Sequence, residues 1–433
     1  MIEETIISFP TKISIRSTDS PAVRVSGDIC VVGAGISGIS AALEAARLGR
    51  KVILVDGQPC LGGQAVNSII GTFCGLFSNA PEPVQLTHAV ADDILRDLGA
   101  TGAVRCVRSS LATTTVVYYE EVALGRWIET AVRAAGITVV LGAVLGKVQL
   151  ENRRITEIFC ATRYGDVRIA ATGFVDASGD ATLAWQAGLP CREPDAPIYG
   201  TQTIVLENLN EDHKPSPPEY SRRLRERADE YGLVRRDGLA FFYPERGTAV
   251  VNMTHVETPL HPVHASEKAL DGKEQADRVF HFLKKEFPAA FGSARVRAYG
   301  LPGIRQTRWI VGRHQLSADE VRMGARFEDE IARTSWPIEL HSRAEGFVWE
   351  PFGPGHIHYV PLRSLMPKDA DNVLAVGRCI DGDALALSSV RVMGPCIAMG
   401  AAAAHALDLA GSGSVGDIDR TALRARLIRN LED

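Results

Sequence analysis

The feature that most constrains the fold is a glycine-rich turn between a predicted strand and a predicted helix. An apolar run at 28–33 is followed by the letters GAGISG and by a small-residue helix at 36–48, and a second apolar strand at 51–56 ends in Asp56. In such a unit the three glycines make the tight turn, admit a pyrophosphate to the backbone and pack the helix on the strand. The helix N-terminus favours phosphate, and the terminal carboxylate accepts ribose hydroxyls. The sequence therefore predicts dinucleotide binding.

Composition places the chain among ordinary globular enzymes. Of 433 residues, 45% are hydrophobic and 23% are charged, so a large core is available and general disorder is excluded. Lysine and arginine number 47 against 52 acidic residues, giving a net charge of −5. Because this balance includes no basic tract, we expect no nucleic-acid partner.

Cysteine spacing and hydropathy indicate a compartment. The eight cysteines are scattered without any CxxC pair, which argues against a zinc or iron–sulfur site and against a disulfide framework. No metal is expected. The N-terminus has no apolar run of signal-peptide length, and no stretch of 18 apolar residues occurs, so we expect a cytoplasmic protein without a membrane span.

The chain is predicted to form a discontinuous domain with an insertion. An extension at 1–26 precedes a nucleotide-binding domain at 27–195 and 368–433, interrupted by a substrate or cap domain at 196–367 where prolines and charged helices concentrate. Alternating apolar residues broken by two turns predict a three-stranded meander over 144–177. The expected fold class is α/β, with this βββ meander and an α+β insertion.

Further elements follow from periodicity and helix-stop signals. Helices are predicted at 122–135, 221–231, 273–287 and 396–409, and strands at 137–141 and 372–376. A second GxGxxG match, at 411–416, follows a helix instead of a strand and is interpreted as a linker.

A pair of glycines soon after Asp56 points to an extended cofactor. The letters CLGGQ, which end at Gln64, let the backbone run along such a cofactor, and here the chain resembles the FAD-dependent oxidoreductases with a glutathione-reductase-like, Rossmann-like FAD domain, especially the branch related to fumarate reductase flavoproteins. The segments at 174–180, 305–308, 359–365, 372–378, 389–393 and 399–403 extend this resemblance over nearly the whole chain. It implies an enzyme with bound FAD.

The glycine turn and the resemblance together assign the cofactor contacts. A strand that ends at Gly377 would bring backbone to the cofactor, Asp381 and Asp383 are acceptors for ribityl hydroxyls, and a helix with Pro395 in its first turn would stabilise the reduced ring. The assigned contacts are Gly33, Gly35, Ser37, Gly38, Asp56, Gly62, Gly63, Gln64, Val144, Asp176, Gly179, Gly377, Arg378, Asp383, Arg391 and Cys396.

Candidate catalytic residues lie in the insertion. Arg305 and Arg308 suit an anionic substrate, although either could pair with a local acid. His356 and His358 form an HxH pair for which a proton relay, a metal site without a visible third ligand, and a structural role all remain open. His341 has similar alternatives. We expect His358 and one of the two arginines to face the flavin.

These observations favour a FAD-dependent dehydrogenase or oxidase that moves a hydride from a small organic substrate to flavin N5. An anionic substrate is expected, and the electron acceptor would be oxygen, a quinone or a redox protein. The alternatives are a flavin monooxygenase, for which no second nucleotide fold is visible, and a flavin-carrying RNA-modification or assembly protein, which the net charge disfavours. A homo-oligomer is left open.

Overall fold

The computed structural model describes residues 21–109 and 113–432. Its strands are β1 Val23–Val32, β2 Val52–Asp56, β3 Thr72–Phe73, β4 Val104–Arg108, β5 Thr115–Tyr119, β6 Thr138–Leu141, β7 Val144–Glu151, β8 Arg154–Thr162, β9 Gly165–Asp176, β10 Cys191–Arg192, β11 Ile204–Glu207, β12 Leu239–Tyr243, β13 Thr248–Asn252, β14 Arg295–Tyr299, β15 Trp309–Ile310, β16 Glu330–Thr334, β17 Ile338–Leu340, β18 Val348–Glu350, β19 His358–Pro361 and β20 Val373–Ala375. Its helices are α1 Ile36–Arg47, α2 Gly63–Asn67, α3 Val90–Ala100, α4 Glu121–Ala134, α5 Thr182–Gln186, α6 Pro217–Arg227, α7 Pro262–Glu286, α8 Pro288–Phe291, α9 Ala318–Met323, α10 Ala384–Val390, α11 Met393–Ala410 and α12 Arg420–Leu427.

The central layer is a seven-stranded sheet that supports the predicted nucleotide unit. Its order is β6-β2-β1-β9-β8-β7, and β20 pairs with the end of β9. The strands β6, β2, β1, β9 and β20 run parallel, whereas β7, β8 and β9 form the antiparallel meander. The sequence-based prediction of an α/β fold with a βββ meander is therefore confirmed.

Two predicted boundaries differ from the structure. Strand β1 begins at Val23, inside the predicted extension, because Val23–Val32 pairs along its length with the long strand β9. Helix α7 begins at Pro262, eleven residues before the predicted start at 273, because His261 caps it and Pro262 occupies its first turn. The weak strand pattern in residues 1–20 lies outside the described residues.

An antiparallel sheet in the insertion forms a separate core. Its strand order is β12-β13-β11-β14, and α6 and α7 cover one of its faces. Tyr220 and Leu224 of α6 pack with Phe282 of α7 and with Phe242 of β12. The segment from β11 to β14 therefore has an apolar core of its own, as a cap domain would require.

The rest of the predicted insertion packs with the nucleotide domain. Trp309, Leu316, Ile338, Val360 and Leu365 share one apolar core with α1 and α11. The apolar cores therefore divide the chain after β14, about seventy residues before the predicted boundary at 367, because β15, β16, β17 and β19 bury side chains against the N-terminal and C-terminal segments.

Helix α11 is the longest apolar element. Among the described residues it alone is long and apolar enough to cross a membrane by length and composition, and 72% of that stretch is buried inside the protein. It packs on α1 so closely that a Cβ at Gly400 would overlap the carbonyl oxygen of Ser37. This is the environment of a core helix. The glycines of 411–416 follow α11 and lead to α12, as the linker interpretation requires.

Asn372 joins the C-terminal segment to the meander, which yields a stability prediction. Its amide donates to the carbonyl oxygens of Ile155 (2.8 Å) and Thr172 (2.9 Å), and its oxygen accepts from the Ile155 N–H (2.9 Å). Asn372→Ala leaves these buried groups unpaired, so we expect the free energy of unfolding to fall by about 3 kcal/mol. Urea unfolding of the purified protein measures this change. The exposed neighbour Lys368 provides the control, and an equal loss in Lys368→Ala would contradict the assignment.

Candidate active site

The glycine turn leaves open space above the N-terminus of α1. Gly33 has φ +108°, and a Cβ there would overlap Ala177, while a Cβ at Gly38 would overlap the Gly33 carbonyl oxygen. Gly35, the residue before the first turn of α1, has no atom within 4 Å of the position of a Cβ. The two outer glycines therefore serve backbone packing, and the middle one borders the space that a pyrophosphate would occupy.

Asp56 lies at the other end of the same space. Its carboxylate accepts from the N–H of Ala34 (2.5 Å) and the N–H of Gln58 (2.7 Å), which fixes it beside the turn. The loop before β7 returns to this point, since Ala143 N–H donates to the Asp56 carbonyl oxygen, and Val144 is 63% exposed there. The structure thus brings Asp56 and Val144 close to each other, and their contact with the adenosine half of a dinucleotide stays a prediction.

The second glycine pair touches the first turn. Gly62 has φ +97° and donates its N–H to the Ala34 carbonyl oxygen (2.9 Å). A Cβ at Gly63 would lie 2.6 Å from the Gly35 Cα, so the chain needs glycine where the two segments meet. Gln64 follows in the first turn of α2, half-buried.

Two predicted cofactor carboxylates have partners within the protein instead. Asp176 is fully buried and accepts from Ser178 Oγ (2.6 Å) and from the Ala184 N–H (3.0 Å), and burial raises its pKa. Asp383 caps α10 through the Ala386 N–H (2.8 Å) and accepts from the Ala318 N–H (2.6 Å). Both carboxylates hold the loops around the site, and the predicted contacts of Asp176 and Asp383 with the cofactor stay predictions. Asp381 is likewise paired, with Arg192 (2.9 Å).

The C-terminal signature closes the opposite wall. Gly377 has φ +68°, and a Cβ there would lie 2.6 Å from Ser37 Oγ. Cys396 is in the first turn of α11, donates to the Arg391 carbonyl oxygen (3.1 Å) and has its pKa raised to about 11 by burial. Arg378 lies against Gly179, whose φ of +83° and missing Cβ make room for the guanidinium.

This geometry fits FAD. Space opens at Gly35, where the phosphates of FAD require it, and Asp56 is held at the end of β2. A Cβ at Gly394 would overlap Gly75, so the start of α11 directly meets the segment that follows β3. The direct contacts of all the predicted cofactor residues with FAD stay predictions.

Three arginines near the cleft have no acidic partner. Arg305, Arg378 and Arg391 are half-buried and donate to the carbonyl oxygens of Tyr199 (2.7 Å), Ile304 and Glu339 (3.3 Å), respectively. Within the described part of the chain none of them forms an ion pair with a carboxylate. Burial and the other arginines lower the pKa of Arg305 and Arg391, although a guanidinium stays charged.

Arg308 points elsewhere. Its guanidinium lies 4.0 Å from the centre of the Trp185 ring and pairs with Glu193 (3.3 Å). Of the two arginines that the sequence offered as alternatives, only Arg305 belongs to the set of three without an acidic partner. Arg308 lies apart from them, against Trp185 and Glu193.

His356 and His358 form a closed pair away from these arginines. His358 is fully buried, with Nδ1 3.2 Å from His356 Nε2 and Nε2 2.8 Å from Ser389 Oγ, and burial lowers its pKa to about 3. Phe352 stacks on His356. Every ring nitrogen of His358 has a partner, which favours the structural alternative. No cluster of three or more metal-ligating side chains occurs among the described residues.

His341 instead joins a hydrogen-bonded chain beside Arg305. Its Nδ1 lies 2.9 Å from His255 Nε2, and its Nε2 lies 3.0 Å from Glu339 Oε1. Burial and the nearby arginines lower the pKa of both histidines, to about 2 for His255. Sequence reasoning missed His255 and Glu339 because no local motif marks them. They come together only in the folded chain, where the residue after β13 lies beside the β17–β18 hairpin.

Aromatic rings wall this chain of polar groups. Phe347 stacks on His341, Tyr199 stacks on His255, and the indole of Trp336 donates to Glu339 Oε2 (3.1 Å). Arg235 is buried behind them and is already paired with Asp237 (2.5 Å). The arrangement offers free cationic groups and a protonatable chain within an apolar wall, which suits a small organic anion.

Gly35→Ala provides a test of the cleft. Alanine tolerates the extended backbone at this position (φ −72°, ψ 179°), and its methyl would enter the space above α1 without touching the chain. We expect the protein to fold but to bind FAD at least about tenfold more weakly, measured by FAD fluorescence titration of protein stripped of cofactor. Gly353→Ala, also in open space, should leave FAD binding unchanged. Equal affinity in all three proteins would show that Gly35 does not border the cofactor.

Comparisons with known proteins identify the family. A family model described as FAD dependent oxidoreductase matches residues 28–427, while no curated protein matches the sequence. The chain is similar to a geranylgeranyl bacteriochlorophyll reductase-like structure from Thermoplasma acidophilum (13% identity, 93% of this chain and 80% of that chain, TM-score 0.46) and to a probable FAD-dependent monooxygenase from Pseudomonas aeruginosa (15%, 93%, 92%, TM-score 0.41). These scores carry no argument about activity, and the fumarate-reductase-related branch stays a prediction. Because the family match covers nearly the whole chain, the protein belongs to the FAD-dependent oxidoreductases and uses FAD.

Proposed function

We propose that the protein is a dehydrogenase or oxidase of a small organic anion, whose carboxylate is bound by Arg305 and Arg391. The observation that carries the proposal is the set of half-buried arginines that, among residues 21–109 and 113–432, hydrogen-bond only to carbonyl oxygens. Buried charges are normally paired, because removing an ion from water is costly without a counter-ion. A substrate carboxylate would provide that counter-ion, and the planar guanidinium fork matches its geometry.

The position of these arginines relative to the cofactor segments supports an active site. Arg391 directly precedes the N-terminal turn of α11, and Gly394 in that turn meets Gly75. Arg305 belongs to the loop between β14 and β15, in which the Ile304 carbonyl oxygen accepts from Arg378. Bound FAD supplies the oxidising chemistry by accepting a hydride from carbon. The residues of the chain would orient the anion and exclude water through the aromatic wall.

The proposal includes an electron acceptor and a compartment. Oxygen, a quinone or a redox protein would take the electrons, in the cytoplasm. Anaerobic mixing of the FAD-loaded protein with small hydroxy acids and amino acids, followed by oxygen or a soluble quinone, identifies both partners through loss and return of flavin absorbance. Bleaching only by uncharged alcohols or amines would contradict the anionic substrate class.

Arg305→Ala should weaken anion binding. Succinate serves as the probe, and the change in bound-flavin absorbance gives its dissociation constant. Loss of a charge-assisted hydrogen bond costs about 1.5–3 kcal/mol, so we expect the dissociation constant to rise roughly 10- to 100-fold. Arg308→Ala is the matched control, because that guanidinium is occupied by Glu193 and Trp185. Equal affinity of the two variants would remove Arg305 from the site, as would a larger effect in Arg308→Ala.

A further inference from the structure

The chain of His255, His341 and Glu339 can be analysed by counting protons. His255 Nδ1 lies 2.9 Å from the Ala344 carbonyl oxygen, which only accepts, so this nitrogen carries a proton. In a neutral ring the other nitrogen, Nε2, is then bare and accepts from a proton on His341 Nδ1. Neutral His341 therefore turns a bare Nε2 toward Glu339 Oε1 at 3.0 Å. Neither a bare nitrogen nor a carboxylate can donate there.

The contact between His341 and Glu339 is a hydrogen bond only if the chain holds one additional proton. That proton resides on Glu339, on His341, or, after shifts along the chain, on His255. In each case the three side chains have a net charge of zero instead of −1. The other oxygen of Glu339 accepts from the Trp336 indole and does not remove this requirement.

The pair His356 and His358 differs from this chain because its hydrogen bonds include no carboxylate. Ser389 Oγ donates to the Trp336 carbonyl oxygen (2.6 Å) and so accepts from His358 Nε2 (2.8 Å). His358 Nδ1 is then bare and accepts from His356 Nε2. Two neutral rings satisfy these two side-chain contacts, while a backbone hydrogen bond with Val321 favours the charged form of His356.

We infer that Glu339, His341 and His255 share one proton at neutral pH, so that Glu339 places no net negative charge beside the arginines and Arg305 and Arg391 stay available to an anion. The charged and titratable groups that face this chain are Cys74, Tyr199, Arg235, Arg305 and Arg391. The three arginines disfavour a full positive charge on either ring, so the proton is placed between His341 Nε2 and Glu339 Oε1, the contact that has no donor without it. The inference rests on the proposed function only for its role in anion binding.

Native isoelectric focusing of the FAD-loaded protein tests the shared proton. Glu339→Gln keeps every hydrogen bond, since its amide donates to His341 and its oxygen accepts from Trp336, and it should focus with the wild type. Glu82→Gln, at an exposed position between two prolines, should focus one positive charge higher. His341→Gln removes the proton's partner, leaves Glu339 as a carboxylate and should focus one charge lower. In urea, Glu339→Gln and Glu82→Gln should shift equally, which verifies the substitutions.

Succinate affinity at pH 7 tests the consequence for binding. If the proton is shared, Glu339→Gln should bind succinate within about threefold of the wild type, because no negative charge has been removed. The inference is overturned if Glu339→Gln focuses with Glu82→Gln, if His341→Gln focuses with the wild type, or if Glu339→Gln binds succinate about tenfold more tightly. Failure of every variant to bind succinate would contradict the proposed function, while the focusing positions would still decide the shared proton.

Discussion

The structure depends on close contacts between backbone segments at glycines, which have no side chain to keep the segments apart. Gly33 allows the end of β9 to pass the first turn, Gly400 allows α11 to lie on α1, and Gly377 allows the turn after β20 to reach Ser37. Through these contacts the glycine turn before α1 and the segment from β20 to α11 form one cleft. A side chain at any of the three positions would overlap its neighbour, so the cofactor cleft and the core are built from the same contacts.

The parts of the fold that could be predicted from sequence are those fixed by neighbours in the chain. The strand–turn–helix unit, the meander and α11 have local periodicity and clear stop signals, and they were predicted within a few residues. The short strands β15–β19 carry no such signal. They are defined by partners far along the chain, such as β16 with β19, and their side chains fill the core beneath α1 and α11. That is why the limit of the insertion could not be predicted.

In the site, too, residues marked by the local sequence could be predicted, whereas those brought together by the fold could not. Arg305 and His341 were predicted as candidates from residue type and resemblance, yet the choice between Arg305 and Arg308 required the backbone path that turns one toward Tyr199 and the other toward Trp185. His255 follows β13, whereas Glu339 lies in β17, and neither has a motif of its own. The two residues lie more than eighty positions apart in the sequence and are linked through His341 only in the folded chain. Sequence periodicity therefore cannot predict their interaction.

The hairpin formed by β17 and β18 has a consequence for divergence among related proteins. It carries Glu339 in one strand, His341 directly after that strand and Phe347 directly before the other, and it lies outside the seven-stranded sheet. Apart from Ile338, which is buried in the main apolar core, its side chains and the length of its turn can change without disturbing the glycines that hold the cofactor cleft. Substrate preference can therefore drift in this ribbon while redox chemistry is inherited intact, so members of such a family can share a cofactor and differ in what they oxidise.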